Sequence, residues 1–202
     1  MVSGSLASDE ALEKTAFIID KVMAMVDPRV APEMNSNGFR HAVMAAYPTE
    51  VTTDIPEHAH LGEWWDERAR GLGATLHIPV GSSAEENVLC HPDDRYLGED
   101  ITIHEFAHSL HLTGLALVFP AFETELEQLY RAAKQGGYWG SDHYAMTNYI
   151  EYFAEGVQSY FDANYRDSRA PTTRDQLQAQ DPQFLAFIDK YLGGNDWKQT
   201  SC

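Results

Sequence analysis

The sequence predicts an α+β fold, mostly helical with a small mixed sheet, and three observations carry that expectation. Long segments place apolar residues at helical spacing between recognisable caps. Only two short stretches combine β-formers with bounding turn residues. One helix surrounds polar, metal-ligating side chains with apolar neighbours on most sides. In chain order, residues 8–26 read as an amphipathic helix with Ser8 as N-cap, an acidic first turn and a stop at Asp27-Pro28. Residues 40–46 read as a short strand, 48–56 as turns, and 61–70 as helical around Trp64 and Trp65. Residues 71–79 read as a strand entered through Gly71 and Gly73 and ended by Pro79; it either builds the sheet or forms the edge that receives an extended peptide. Residues 82–96 read as a polar connection walling one side of a cleft. A helix from Ile101, capped by Asp100 or Glu99, is expected to end at Gly114 in the left-handed conformation. Residues 120–135 form the next helix, stopped by Gly136-Gly137, and a loop follows at 138–144. A helix capped by Thr147 or Asn148 runs to about residue 164, and a last one starts at Asp181-Pro182 and ends at Gly193-Gly194. No repeat or low-complexity segment interrupts the chain. One catalytic domain over 1–202 is expected, with an N-terminal helix and small-sheet lobe (1–98) and a helical lobe (99–202) carrying the ligands.

Composition narrows the partners. The 202 residues are 44% hydrophobic and 11% aromatic, which suits a globular core, but the formal net charge is −17. That charge argues against nucleic acid or an anionic membrane surface and favours neutral or cationic substrates. No apolar run is long enough to span a bilayer. Residues 1–5 lack the basic and hydrophobic parts of a signal peptide and read as a short leader before a mature domain, with an extracellular, secreted location expected. Cys90 and Cys202 either form one disulfide or remain two thiols; their spacing suits no zinc motif. Oligomeric state is not written in the sequence.

The chemistry lies in His104, Glu105 and His108, a H-E-x-x-H pattern. At ~100° per residue, positions i and i+4 lie about 40° apart on a helix, so both imidazoles converge on one Zn2+ ion. Glu105, next to the first ligand, is placed to hold and deprotonate a zinc-bound water without being a ligand itself. A catalytic zinc usually takes a third protein ligand. The metzincin completion needs glycine and then histidine at set positions; here His111 and Gly114 stand in reversed order, so His111 reads as a core or ligand-supporting residue. The aspzincin completion finds only a loose echo in Asp142. The gluzincin completion takes a glutamate from a downstream helix, where Glu151 and Glu155 stand at i, i+4 among Ile150, Tyr152, Phe153, Ala154 and Val157. One can bind zinc while the other hydrogen-bonds a ligand histidine.

Residues 144–155, reading Y-A-M-T-N-Y-I-E-Y-F-A-E, resemble the corresponding element of the catalytic domain of anthrax lethal factor and its relatives, including the Pro-Pro endopeptidases. In that family a HEFxH helix is followed by Y-x-x-T-N-x-x-E-[FY]-F-A-E, with the tyrosine seven residues before the ligand glutamate, as Tyr144 is before Glu151. Residues 181–188 are similar to the family's closing helix, so the likeness covers about 101–192 and leaves the N-terminal half unmatched. The resemblance implies a zincin-like fold and a zinc metalloendopeptidase acting on a peptide or protein. It implies His104, His108 and Glu151 as ligands, Glu105 as general base, Tyr144 as oxyanion donor and Glu155 behind a ligand histidine. His143, beside Tyr144, would assist the oxyanion or a substrate carboxylate. Neither toxin activity nor kinase substrates follow. A zinc hydrolase of a non-peptide amide or ester and a non-catalytic metal-containing binding module are the alternatives. An open groove beside residues 73–78 favours peptides, and a closed pocket lined by Trp64, Trp65 or Trp139 favours a small molecule.

Overall fold

The computed structural model describes residues 2–3, 6–165 and 167–199, the first two by their backbone alone. Cys202 lies outside them, and with it the pairing with Cys90. The observed order begins with β1 (Val2–Ser3), α1 (Asp9–Met23), α2 (Val30–Ser36) and β2 (Arg40–Met44), then α3 (Trp64–Arg68), β3 (Val80–Ala84) and α4 (Glu85–Val88). It continues with α5 (Ile101–Leu110), a π-helical turn (His111–Leu115), α6 (Ala116–Val118), α7 (Phe122–Gly136), α8 (Tyr149–Tyr160), α9 (Arg174–Gln180) and α10 (Pro182–Leu192). No helix among the described residues is long and apolar enough to cross a membrane.

The helices start and stop where short-range chemistry puts them. Ser8 Oγ accepts from Ala11 N, Asp100 from Ile103 N, and Asn148 from Ile150 N and Glu151 N, each satisfying donors that a first turn leaves unpaired. Gly137 and Gly193 close α7 and α10 at φ +65° and +69°, a conformation that costs glycine little. One apolar cluster joins Ile18 and Val22 of α1, Val30 and Met34 of α2, Ile103, Phe106 and Leu110 of α5, and Phe153 and Val157 of α8. Each such burial is worth about 1.5–3 kcal/mol. This core grips α5 and α8 side by side and leaves their polar stripes facing one cleft.

The sheet differs from expectation in one respect. Its named strands run parallel in the order β1-β2-β3, and an antiparallel bridge between Leu72 and Ser82 makes it mixed. Residues 71–79 are therefore no continuous strand: after the Leu72 bridge the chain turns, with Thr75 N donating to Ile78 O. The strand proper lies after Pro79, in V-G-S-S-A, buried throughout. Its serines are tolerated inside because they are bonded: Ser83 Oγ meets His41 Nε2 at 3.1 Å, and Ser82 Oγ accepts from Leu72 N at 3.2 Å. Residues 82–96 are a polar connection only in part: Tyr96 does wall the cleft, but 82–88 are buried in β3 and α4. Glu86 of α4 is buried against Arg70, and Glu85 accepts from the backbone of Ser8 and Ala46. Gly114 does not end the active helix; the π turn and α6 carry it on to Phe119. The glycine is there for packing, since a Cβ would lie 2.8 Å from Val30 Cγ1 and 2.9 Å from Met34 Cγ.

Candidate metal centre

Nine residues of α5 are buried, and its two histidines meet Glu151 and Gln158 of α8. His104 Nε2, His108 Nε2 and Glu151 Oε2 form a nearly equilateral triangle: 3.1 Å between the imidazole nitrogens, and 3.2 and 3.1 Å from each to the carboxylate. The centre of such a triangle is ~1.8 Å from each corner, so a cation at the ~2.0–2.2 Å usual for zinc–nitrogen and zinc–oxygen bonds fits just off its plane.

Hydrogen bonding behind the triangle makes this a demand for positive charge. Gln158 Nε2 donates to Asp100 O, which leaves Gln158 Oε1 to accept from His104 Nδ1 at 2.8 Å. That bond holds the imidazole proton on Nδ1 and turns the Nε2 lone pair toward Glu151. Lone pairs facing a carboxylate at this range repel unless a cation or an extra proton stands between them. The titration directions say the same. Burial opposes charge on His104, yet its bond to Glu151 and the nearby Glu105 and Glu155 push it up to about 10. Burial would raise Glu151, but the two histidines hold it far below the ordinary carboxylate range. Two imidazoles and one carboxylate are a donor set for a divalent transition-metal ion.

The other sequence candidates fall at different distances from this triangle. Glu155 Oε1 is 3.8 Å from His104 Nδ1, and its other oxygen accepts from Asn164 Nδ2 at 2.8 Å. Gln158, which sequence reasoning passed over, is the closer partner of His104; its only signal was a place two turns after Glu151 on α8. Glu105 is partly buried beside the triangle, raised by burial while His104, His108 and Arg68 pull it down. Tyr144 stands across the cleft with its ring 6.2 Å from His104, and burial together with the Glu151 charge pushes its phenol up to about 12. His143 Nδ1 accepts from Ala145 N and so caps the short turn that presents Tyr144. His111 is fully buried away from the triangle, bonded through Nε2 to Glu123 at 2.7 Å and packed on Phe122, Tyr149 and Phe153. Asp142 pairs with Arg169 at the surface.

The cleft has two compartments that share Arg68, Gly71, His104, Glu105 and Tyr144. One, about 230 Å³, is walled by Tyr96, Glu99 and Glu155. The other, about 290 Å³, is walled by Trp64, Trp65, Leu112 and Ile150. Trp64 is 63% exposed at the rim, whereas Trp139 is in the core with its Nε1 donating to Asp181. Burial and the charge of Glu155 push Glu99 up to about 7. Gly71 and Gly73 let the chain press onto α5: a Cβ on Gly73 would lie 2.3 Å from His108 Cβ, and one on Gly71 would lie 2.9 Å from Glu105 Cγ.

The chain shares the fold of a Pro-Pro endopeptidase. It is similar to the solved structure of PPEP-2 from Paenibacillus alvei with a TM-score of 0.58, over 94% of this chain and 95% of that one, at 18% identity. The α+β architecture, mostly helical and zincin-like, is thus the one that PPEP-2 has. No family model matches the chain, and no curated protein matches it by sequence.

Proposed function

We propose that the protein is a zinc-dependent metalloendopeptidase of the gluzincin type, related to lethal-factor-like catalytic domains. The observation that carries this reading is the triangle of His104, His108 and Glu151, with Glu105 beside it in an open cleft. The fold shared with PPEP-2, a Pro-Pro endopeptidase by its name, supports it. When bound, zinc would supply Lewis-acid polarisation of the scissile carbonyl and a lowered pKa for water.

The protein's own groups would do the rest. Glu105 takes a proton from the attacking water at a carboxylate oxygen and delivers it to the leaving amine nitrogen. Tyr144 donates its O–H to the oxyanion that develops at the carbonyl, as an ordinary phenol keeps that proton through the neutral range. Gln158, with Glu155 behind it, fixes the ring of His104. Leu72 exchanges both backbone hydrogen bonds with Ser82, so by strand alternation the amides and carbonyls of Gly71 and Gly73 point the other way, toward the cleft. An extended peptide can pair there.

Digestion of a peptide library by the zinc-loaded protein, with and without a chelator, tests the reading. Cleavage that the chelator stops is expected; intact peptides with metal fully bound would overturn it. Glu151→Ala is expected to weaken zinc binding far more than Glu155→Ala, by metal titration, and equal losses would refute the ligand set.

A further inference from the structure

We propose that Arg68 selects substrates carrying a carboxylate close to the scissile bond, an inference that rests on the peptidase reading above. The chain has 31 acidic residues against 14 basic ones, so a cation without an anion is unexpected. Arg29, Arg40, Arg70, Arg131 and Arg169 all pair with carboxylates. Arg95 and Arg174 bond to carbonyl oxygens and lie over aromatic rings. Among the described arginines, Arg68 alone has a guanidinium with no hydrogen bond, ion pair or ring contact.

Its position gives that freedom a meaning. Arg68 closes α3 and borders both compartments of the cleft. Its backbone is fixed on every side: Arg68 O accepts from Tyr96 Oη at 3.3 Å, Ala69 N donates to Trp65 O at 3.0 Å, and Ala69 O accepts from Thr52 Oγ1 at 2.7 Å. The next residue, Arg70, is buried and bonded to Glu86 and to the carbonyls of Ala45 and Glu50. A rigid base thus carries a free planar fork whose charge is felt at Glu105, Tyr144 and Tyr96. Such a fork matches a carboxylate with two parallel hydrogen bonds.

The carboxylates around the site do not compete for it. Glu151 faces the two histidines, Glu155 is bonded to Asn164, and Glu99 to Gln158. Glu105 feels Arg68 only at a distance. Arg68 is therefore a positive charge in the cleft with no carboxylate bonded to it, in a chain of the opposite net sign. The matching group is a carboxylate of the substrate, on an acidic side chain or at a free C-terminus.

The test uses zinc-loaded Glu105→Gln, which binds without turning over, and peptide pairs that differ only by carboxylate against carboxamide. One pair exchanges an internal Glu for Gln; the other exchanges a free C-terminus for its amide. Affinity is read from the fluorescence of the cleft tryptophans. About tenfold or more tighter binding of the acid member is expected in at least one pair, shrinking with added salt, and the pair that shows it identifies the carboxylate's source. Adding Arg68→Gln should bring the two members of that pair within about twofold, and Arg68→Lys should keep part of the preference. Acid and amide binding alike, or a preference that survives Arg68→Gln, would overturn the assignment of Arg68. Failure of the zinc-loaded protein to bind or cut any peptide would instead bring down the peptidase reading and this inference with it.

Discussion

Two sets of buried histidines share this molecule, and they are held in opposite ways. His41, His58 and His111 each bond one oxygen through Nε2: Ser83 Oγ, Val80 O and Glu123 Oε1. Their Nδ1 atoms find no partner among the described residues. Burial keeps them neutral, pushing His41 down to about 3 and lowering the other two, His111 even against the pull of Glu123. His104 and His108 are buried too, and His108 Nδ1 likewise finds no partner among the described residues, but their Nε2 atoms face each other and a carboxylate. One carboxylate is not enough, since His111 meets Glu123 and stays a packing residue; two imidazole nitrogens converging on one carboxylate oxygen make a cation seat. The separating observation is what the inner nitrogen meets, not how buried the ring is.

That contrast can be broken at several points. Glu105→Gln should lower turnover by about 10²–10⁴ while metal content after dialysis stays at the wild-type level; retained turnover would remove Glu105 from the chemistry. Tyr144→Phe should lower kcat by about 10²–10³ with little change in KM, and an effect confined to KM would make the phenol a binding group. Gln158→Leu should weaken zinc affinity by roughly 10–100-fold, and Glu155→Ala by less, because 2.8 Å is a hydrogen bond to His104 and 3.8 Å is not. The reverse order in a competition titration would exchange their roles.

The packing histidines give the smallest effect and a sign. With its folded value down at about 3, His41 binds fewer protons folded than unfolded below its ordinary 6.5. Its contribution to stability is whole above about 6.5 and is lost as pH falls toward about 3. His41→Gln should make the fall of Tm between neutral and acid pH shallower. An unchanged slope would mean that His41 titrates alike in both states.

What the sequence displayed, and what it concealed, divides by range. The caps at Ser8, Asp100 and Asn148 and the closing Gly193 were legible because each acts within about four residues. His104 with His108, and Glu151 with Glu155, were legible because one helical turn fixes their common face. β3 and α4 were hidden by their polarity. Ser83 and Glu86 read as part of a polar connection until His41 and Arg70, 42 and 16 residues away, are known to reach them. Gly71 and Gly73 read as the entry to a strand, but the neighbour that forbids their side chains is α5 itself. Gln158 carried no signal beyond its turn of the helix, and Arg68 none at all, since an unpaired charge is visible only once every other charge has been matched.

The π-helical turn from His111 to Leu115 also constrains how this chain can change length. Such a turn holds one residue more than an α-helical turn of the same reach. Deleting any one of those five residues would let the helix regularise and swing everything after it by about 100°. Gly114 would then leave the notch between Val30 and Met34, and α7 would set off in a new direction. The ligand histidines, upstream, would keep their own register. Insertions and deletions accepted on the surface should therefore be rejected in this buried turn, and a library of single-codon deletions read for folding would show the gap.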